Sequence, residues 1–113
     1  MMYEVRNYHF NPELFEGYKT WARDLAAPFL NRELDLVGFW ANTDADIEVN
    51  GAPLDELGSA NITWIIRWPD KQTRDDTWER VLNSEEWVAI FAQVPGGLES
   101  YKRIEVKFTE ALC

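Results

Sequence analysis

The amino-acid sequence predicts an α+β fold of the ferredoxin-like type, in which a four-stranded antiparallel sheet carries both helical regions on one face. Two observations support this class. Four segments have the composition and periodicity of β-strands, and two longer segments repeat apolar residues at helical spacing. Their order along the chain is β-α-β-β-α-β. The predicted strands are 2–10, 34–42, 62–68 and 100–109, and the predicted helical regions begin near residues 12 and 71.

The first predicted strand has polar residues on both of its faces. By polarity, we expect the face with Val5 to pack against the helices, so that Asn7 and His9 point the same way. Glu4 and Arg6 then point to the opposite face of the sheet. The third strand, 62–68, is nearly all apolar, which is typical of a central strand.

The first helical region begins after Asn11 and Pro12, because Asn caps free backbone amides and Pro at the first helical position leaves no amide unpaired. We expect Pro28 to kink or end the regular part of this helix. The apolar stripe that packs it on the sheet comprises Leu14, Tyr18, Trp21 and Leu25.

The second helical region is predicted over 71–94, and Pro95 with the two following glycines ends it. Asn83 followed three residues later by Glu86 has the pattern of a capping box, which predicts that the helix breaks and restarts there.

The acidic segment 43–60 lies between the second and the third predicted strand. Asn50 and Gly51 readily adopt the positive φ angles of a tight turn, which predicts a small hairpin with Ile47 and Val49 before the turn. The five acidic residues of this segment lack the spacing of a calcium loop, so we expect a solvated loop and no metal site.

Composition limits the possible functions. The chain has 113 residues, which suits one domain over 1–113. A formal net charge of −9 makes nucleic acid and anionic membranes poor partners. The single cysteine, Cys113, permits neither an internal disulfide nor a thiolate zinc site. We therefore expect a cytoplasmic protein without a metal or other cofactor.

The sheet face opposite the helices needs cover. Left in water, its mixture of apolar and charged residues would expose a large patch, which predicts a homodimer that pairs sheet with sheet. Charges at the centre of such a barrel would form salt bridges across the dimer. The predicted residues of this face include Leu36, Trp40, Ile65, Glu4, Arg6 and Arg67.

The candidate site residues fall into two groups. His9, the only histidine, and Asn7 are the candidates for catalysis, because one is able to move a proton near neutral pH and the other to hold a carbonyl or enolate. Stiff aromatic side chains between helices and sheet indicate a pocket for a flat organic molecule, although the same rings are also able to fill a core. These substrate-binding candidates are Tyr18, Trp21, Trp64, Trp68 and Trp78.

Several short segments resemble NIPSNAP domains, which belong to the dimeric α/β-barrel superfamily. The resemblance implies a homodimer whose two sheets form a barrel. Relatives with this barrel include cofactor-independent oxygenases, haem-degrading enzymes, isomerases and interaction partners. The segments that carry it are Tyr3-Glu4-Val5-Arg6-Asn7-Tyr8, Leu36-Val37-Gly38-Phe39-Trp40, Arg74, and Ser84 to Phe91.

The sequence departs from the family in two places. The loop 43–60 is longer than usual, and Trp64 stands where many members have His. The second helical region also lacks the His that haem-degrading relatives use.

Two functions remain open. One is a metal-free oxygenase, isomerase or lyase that acts on a small apolar or aromatic molecule, and it predicts a closed cavity. The other is a non-catalytic adaptor, which predicts a filled core and an exposed loop with apolar tips such as Ile47 and Leu54.

Overall fold

A computed structural model describes residues 1–113 and shows the predicted α+β fold. The chain forms four strands and four α-helices, with a π-helical turn between the first two helices. In chain order these are β1 Met2–Phe10, α1 Phe15–Trp21, the π-turn Ala22–Ala26, α2 Ala27–Glu33, β2 Leu36–Ala41, β3 Ile62–Trp68, α3 Lys71–Leu82, α4 Glu85–Phe91 and β4 Tyr101–Thr109.

The four strands form one antiparallel sheet in the order β2-β3-β1-β4. The two central strands are therefore β3 and β1, and each is paired on both sides. The side chains of β3 alternate between buried and half-buried along its whole length, because the helices cover only one face of the sheet. The four strands predicted from the sequence are confirmed, with ends that differ by at most two residues.

The orientation predicted for β1 is wrong. Its even-numbered side chains point toward the helices: Glu4 is completely buried, and Tyr8 and Phe10 are nearly so. The neighbours of Val5 and Asn7 on β3 are Ile65 and Thr63, which lie on the opposite face of the sheet. This open face holds only half-buried side chains of β1.

The first helical region begins as predicted and then continues past Pro28. Asn11 caps the short 3-10 turn Pro12–Leu14 that leads into α1. Its side chain accepts a hydrogen bond from the Glu13 amide. Within the π-turn, the Ala27 amide bonds the Ala22 carbonyl, five residues back. This wider turn accommodates Pro28, which has no amide to donate, and α2 follows without a break.

The second helical region breaks where the sequence predicts it, but a different residue forms the cap. The helix α3 ends at Leu82, and Ser84 accepts the Trp87 amide to begin α4. Asp70 caps the start of α3 in the same way by accepting the Thr73 amide.

The segment between β2 and β3 forms no strand, so the predicted hairpin is wrong. Gly51 has the expected positive φ of +84°. Ile47 and Val49, however, are exposed and have no apolar partner strand to pair with. Asn61 fixes the end of the loop against β1. Its side-chain Oδ1 accepts a hydrogen bond from the Phe10 amide, and its Nδ2 donates one to the Phe10 carbonyl.

No helix of the chain combines the length and the apolar character that a bilayer crossing requires.

Candidate functional site

A cavity of about 490 Å³ lies between the sheet and the helices. It is lined by 17 residues, of which 16 are hydrophobic and one is charged. Four of the five predicted pocket residues line it: Tyr18, Trp21, Trp64 and Trp78.

The cavity opens to the surface. Four apolar side chains that line it are also 44–65% exposed, so they form the rim of its mouth. The enzyme hypothesis predicts a closed cavity, and the structure differs in this respect. The adaptor hypothesis predicts a filled core, and the structure differs there too. The rim residues are Leu82, Val88, Leu98 and Ile104.

Aromatic side chains from all four strands and from α1, α3 and α4 form the walls. Trp64 on β3 stacks on Phe39 of β2, with ring centroids 5.3 Å apart and planes 16° from parallel. Trp21 of α1 donates its indole N–H to the Ile90 carbonyl at 2.9 Å, which ties the first helix to α4. Because these rings are fixed by stacking and hydrogen bonding, the walls hold their shape without a ligand.

Trp68, the fifth predicted pocket residue, does not line the cavity. Its indole N–H donates to Oε1 of Glu4 at 2.9 Å, and the side chain is buried beneath α3. Trp68 therefore supports the site from behind and is not part of its wall.

Glu4 is the centre of a buried network of donors. Its Oε1 accepts from the indoles of Trp68 and Trp78 and from Arg74 Nε at 2.9–3.1 Å. Its Oε2 accepts from Arg74 Nη2 at 2.9 Å and from Arg6 Nη1 at 2.6 Å. Five donors thus surround one carboxylate, which satisfies the condition for burying a charge.

The network determines the charge state of Glu4. Burial by itself would raise the pKa of this carboxyl, but hydrogen bonds from Arg74, Trp78 and Arg6 outweigh burial and lower the pKa from 4.5 to about 2. Glu4 is therefore ionised at neutral pH and acts as an acceptor only.

Arg6 is the one charged residue on the cavity wall. Its Nε donates to the Tyr8 hydroxyl at 2.6 Å, and its Nη1 donates to Glu4. The guanidinium carbon lies 5.2–5.6 Å from the ring centroids of Tyr8, Trp64 and Trp78. Aromatic faces on several sides and a fixed carboxylate behind hold this cation at the cavity surface.

Three tyrosines next to Arg6 carry neutral phenols. The ring of Tyr101 lies 5.4 Å from that of Tyr8 and 6.1 Å from that of Tyr18. Burial raises the pKa of Tyr8, Tyr18 and Tyr101 above the usual 10, and for Tyr8 the nearby Arg6 offsets this only in part. All three are protonated at neutral pH, and the Tyr18 hydroxyl is directed at that of Tyr101.

The predicted catalytic residues Asn7 and His9 do not line the cavity. Both lie on the open face of the sheet, so their predicted orientation toward the helices is wrong. Asn7 Oδ1 accepts a hydrogen bond from Thr63 at 2.7 Å. The Nε2 atom of His9 lies 3.0 Å from the Gly58 carbonyl, and its Nδ1 is buried without a partner. His9 therefore contacts the returning end of the loop 43–60.

The charges predicted to bridge a dimer are paired within the chain. Glu4 and Arg6 face the helices, in contrast to the prediction. Arg67 does lie on the open face, where it pairs with Asp35 at 3.3 Å and stacks on Tyr3.

The sequence did contain a signal for the residues that prediction missed. Glu4, Arg6 and Tyr8 are three of the four fixed positions of the segment Tyr3 to Tyr8 that resembles the opening of NIPSNAP domains, and Arg74 is part of the same resemblance. The structure brings all four into one network. No set of three His, Cys, Asp or Glu side chains comes close enough to form a metal site.

Several solved structures share this fold, and three of them illustrate its range. An uncharacterized NIPSNAP domain protein from Burkholderia xenovorans superposes with a TM-score of 0.73 at 16% identity, over 100% of this chain and 98% of its own. An antibiotic biosynthesis monooxygenase superposes with a TM-score of 0.56 at 13% identity, over the full length of both chains. A dimeric ferredoxin-like protein of unknown function from Jannaschia superposes with a TM-score of 0.52 at 12% identity, over 97% of this chain and 98% of its own.

These comparisons confirm the resemblance to NIPSNAP domains as a likeness of fold, with the ferredoxin-like α+β class that it implied. No protein-family model and no curated protein sequence matches the chain.

Proposed function

We propose that this protein binds a small, largely apolar and aromatic molecule in the cavity between its sheet and its helices. The observation that carries the proposal is the cavity itself: about 490 Å³, with 16 hydrophobic residues among the 17 that line it. Its size lies within the range of small-molecule sites, and its one cationic group is typical of the few polar contacts that orient such ligands.

We further propose that binding serves a reaction of the oxygenase, isomerase or lyase type that needs no metal. The fold shared with an antibiotic biosynthesis monooxygenase supports this class. In such reactions negative charge develops on a substrate oxygen, and a fixed cation stabilises it. Arg6, with Tyr8 bonded to its Nε, is placed on the cavity wall for this role. A catalytic role for Asn7 or His9 stays a prediction.

The binding proposal is tested by closing the mouth of the cavity. Ala92 lines the cavity and is exposed at the end of α4, so Ala92→Trp places a bulky ring at the rim without overfilling the core. Ala89, also exposed on α4, does not line the cavity, so Ala89→Trp is the matched control.

The measurement is quenching of intrinsic tryptophan fluorescence during titration with a panel of bicyclic aromatic molecules. We expect saturable quenching for the unmodified chain and for Ala89→Trp, and at least tenfold weaker binding for Ala92→Trp. Quenching that is absent for every molecule, or equal in both variants, would contradict the proposal.

We also propose that the chain forms a homodimer through the open face of its sheet. The half-buried side chains of the central strands on this face include Val5 and Ile65, and Trp40 at the edge is 49% exposed. The likeness to a dimeric ferredoxin-like protein supports the pairing. Sedimentation at micromolar concentration is expected to give a dimer, and Ile65→Glu to give a folded monomer. A monomeric unmodified chain would refute this part.

A second candidate function is that of an adaptor acting through the loop 43–60. One observation favours it: Ile47 is 54% exposed and Leu54 is 48% exposed, although both are apolar. A partner-binding loop predicts that the double variant Ile47→Ser with Leu54→Ser abolishes co-purification of a defined partner while ligand quenching in the cavity stays unchanged. Unchanged co-purification would remove this candidate.

A further inference from the structure

The cavity wall carries one cationic side chain and no anionic one. Arg6 is its only charged residue, and the carboxylate behind it, Glu4, is completely buried with both oxygens already bonded. A guanidinium has five N–H donors. Arg6 uses one toward Tyr8 and one toward Glu4, so three remain without a partner in the chain.

A second free donor lies beside them. The indole N–H of Trp64 is buried and makes no hydrogen bond, although the Trp64 ring stacks against both Phe39 and the Arg6 guanidinium. A buried donor without a partner costs stability, and chains usually avoid it. Trp64 and Arg6 both line the cavity, but the Trp64 nitrogen is closed off from it, so Arg6 is the group that presents free N–H donors to a ligand.

We propose that the ligand carries an acidic oxygen, as an enolate, phenolate or carboxylate on an aromatic framework, and binds as the anion with that oxygen on Arg6. This inference rests on the proposed function, since it specifies what the cavity binds. An anion receives charge-assisted hydrogen bonds from Arg6. An apolar ligand would instead bury the free N–H groups of Arg6 without giving them an acceptor.

The surrounding groups are compatible with an anion. Arg74 makes two of the hydrogen bonds to Glu4 and also pairs with Asp75, so Glu4 is shared between two cations and offsets the charge of Arg6 only in part. The neighbouring phenols of Tyr8, Tyr18 and Tyr101 are neutral and do not repel a negative ligand. The Tyr8 hydroxyl accepts from Arg6, which leaves its own O–H to donate to the same oxygen.

Three molecules of nearly equal shape test the inference at pH 7: 2-naphthoate, 2-naphthamide and 2-methylnaphthalene. They present an anionic oxygen, a neutral carbonyl and no oxygen, respectively. We expect 2-naphthoate to bind roughly tenfold to a hundredfold more tightly than the other two, the difference that a hydrogen bond to a charged group makes. Dissociation constants are measured by fluorescence quenching and checked by calorimetry.

The three ligands also separate this inference from the proposed function. Equal binding of all three would overturn the requirement for an anion and leave the cavity as an apolar binding site. Tighter binding of the neutral pair would overturn it as well. If none of the three bound, the proposed function would be refuted, and the inference of an anionic ligand would be refuted with it.

Variants then locate the interaction. Arg6→Met removes the cation and keeps much of the side-chain length, and it should abolish the preference for 2-naphthoate while 2-methylnaphthalene binds as before. Arg67→Met is the matched control, since Arg67 lies on the open face of the sheet and should change neither. A preference that survives Arg6→Met would overturn the assignment. If that variant does not fold, Tyr8→Phe, which removes only the hydroxyl beside Arg6, is expected to reduce the preference severalfold, and an unchanged preference would overturn the assignment.

Discussion

The two faces of β1 show how differently one strand is able to hold polar residues. On the helix face, Glu4, Arg6 and Tyr8 bond one another and are covered by α3. On the open face, Asn7 and His9 have one contact each, with Thr63 and with the Gly58 carbonyl. Charge is therefore stable inside this fold where several donors converge, and the face with single contacts contains no charge on β1.

The helix face depends on donors that are distant in sequence. Trp68, Arg74 and Trp78 reach Glu4 from 64, 70 and 74 residues away. Since each donor belongs to an element that also packs on the sheet, the carboxylate joins β1, β3 and α3 at one point. Changes on this face should cost far more than matched changes on the open face.

The largest expected effect is that of Glu4→Gln. The change leaves the half-buried Arg6 without its counter-ion and leaves Arg74 with Asp75 alone, and we expect the free energy of unfolding to fall by about 3 kcal/mol. Urea unfolding measures it. Glu16→Gln, at a side chain that is 88% exposed, is the control and should change stability by less than about 0.5 kcal/mol. Equal effects of the two variants would refute the importance of the buried network.

The pH dependence of stability should reveal the same carboxylate. The pKa of Glu4 is lowered from 4.5 to about 2 in the folded chain, so the unfolded chain takes up this proton first as the pH falls. The stabilisation is complete above about pH 5, and on the order of 3 kcal/mol is lost between about pH 5 and pH 2.

Unfolding free energies of the unmodified chain and of Glu4→Gln, measured from pH 7 to pH 3, isolate this contribution, because the exposed carboxylates titrate alike in both. The difference between the two should shrink as the pH falls. A constant difference would mean that Glu4 is not ionised in the folded chain.

A smaller effect is expected on the open face. Thr63→Val keeps the shape of the side chain and removes the 2.7 Å hydrogen bond to Asn7, which should cost about 0.5–1.5 kcal/mol. Thermal unfolding measures the loss. A cost as large as that of Glu4→Gln would remove the contrast between the two faces.

The smallest effect on ligand binding is expected for His9→Ala. His9 lies across the sheet from the cavity and contacts the loop through the Gly58 carbonyl. We expect unchanged dissociation constants for 2-naphthoate, together with faster amide hydrogen exchange in residues 55–60. Tenfold weaker binding would restore the predicted role of His9 in the site.

Local sequence patterns predicted the elements well. Strand β3 was predicted at its observed bounds, and so was the cap at Asn11, because it follows from short-range chemistry that a sequence displays directly. The cap at Asp70 was not predicted. The aromatic wall residues Tyr18, Trp21, Trp64 and Trp78 were also predicted, since bulky rings on the inner faces leave few other places to lie.

The orientation of β1 was not predictable by polarity. Both of its faces contain polar residues, and the rule that apolar side chains face the core favours Val5 over Glu4. The observed choice depends on Arg74 and Trp78, whose positions follow from the tertiary fold. The hairpin predicted at Gly51 failed for a related reason, because a turn signal does not supply the partner strand that a hairpin needs.

The position of β1 between β3 and β4 has a consequence for the order in which the molecule assembles. Tyr3 and Thr109 pair across 106 residues of chain, so the middle of the sheet forms only when distant segments meet. Closing so large a loop costs entropy before any pairing compensates for it. The contacts within α1 and α2 are local and carry no such cost. Joining β4 to β1 is then the step that we expect to limit the folding rate.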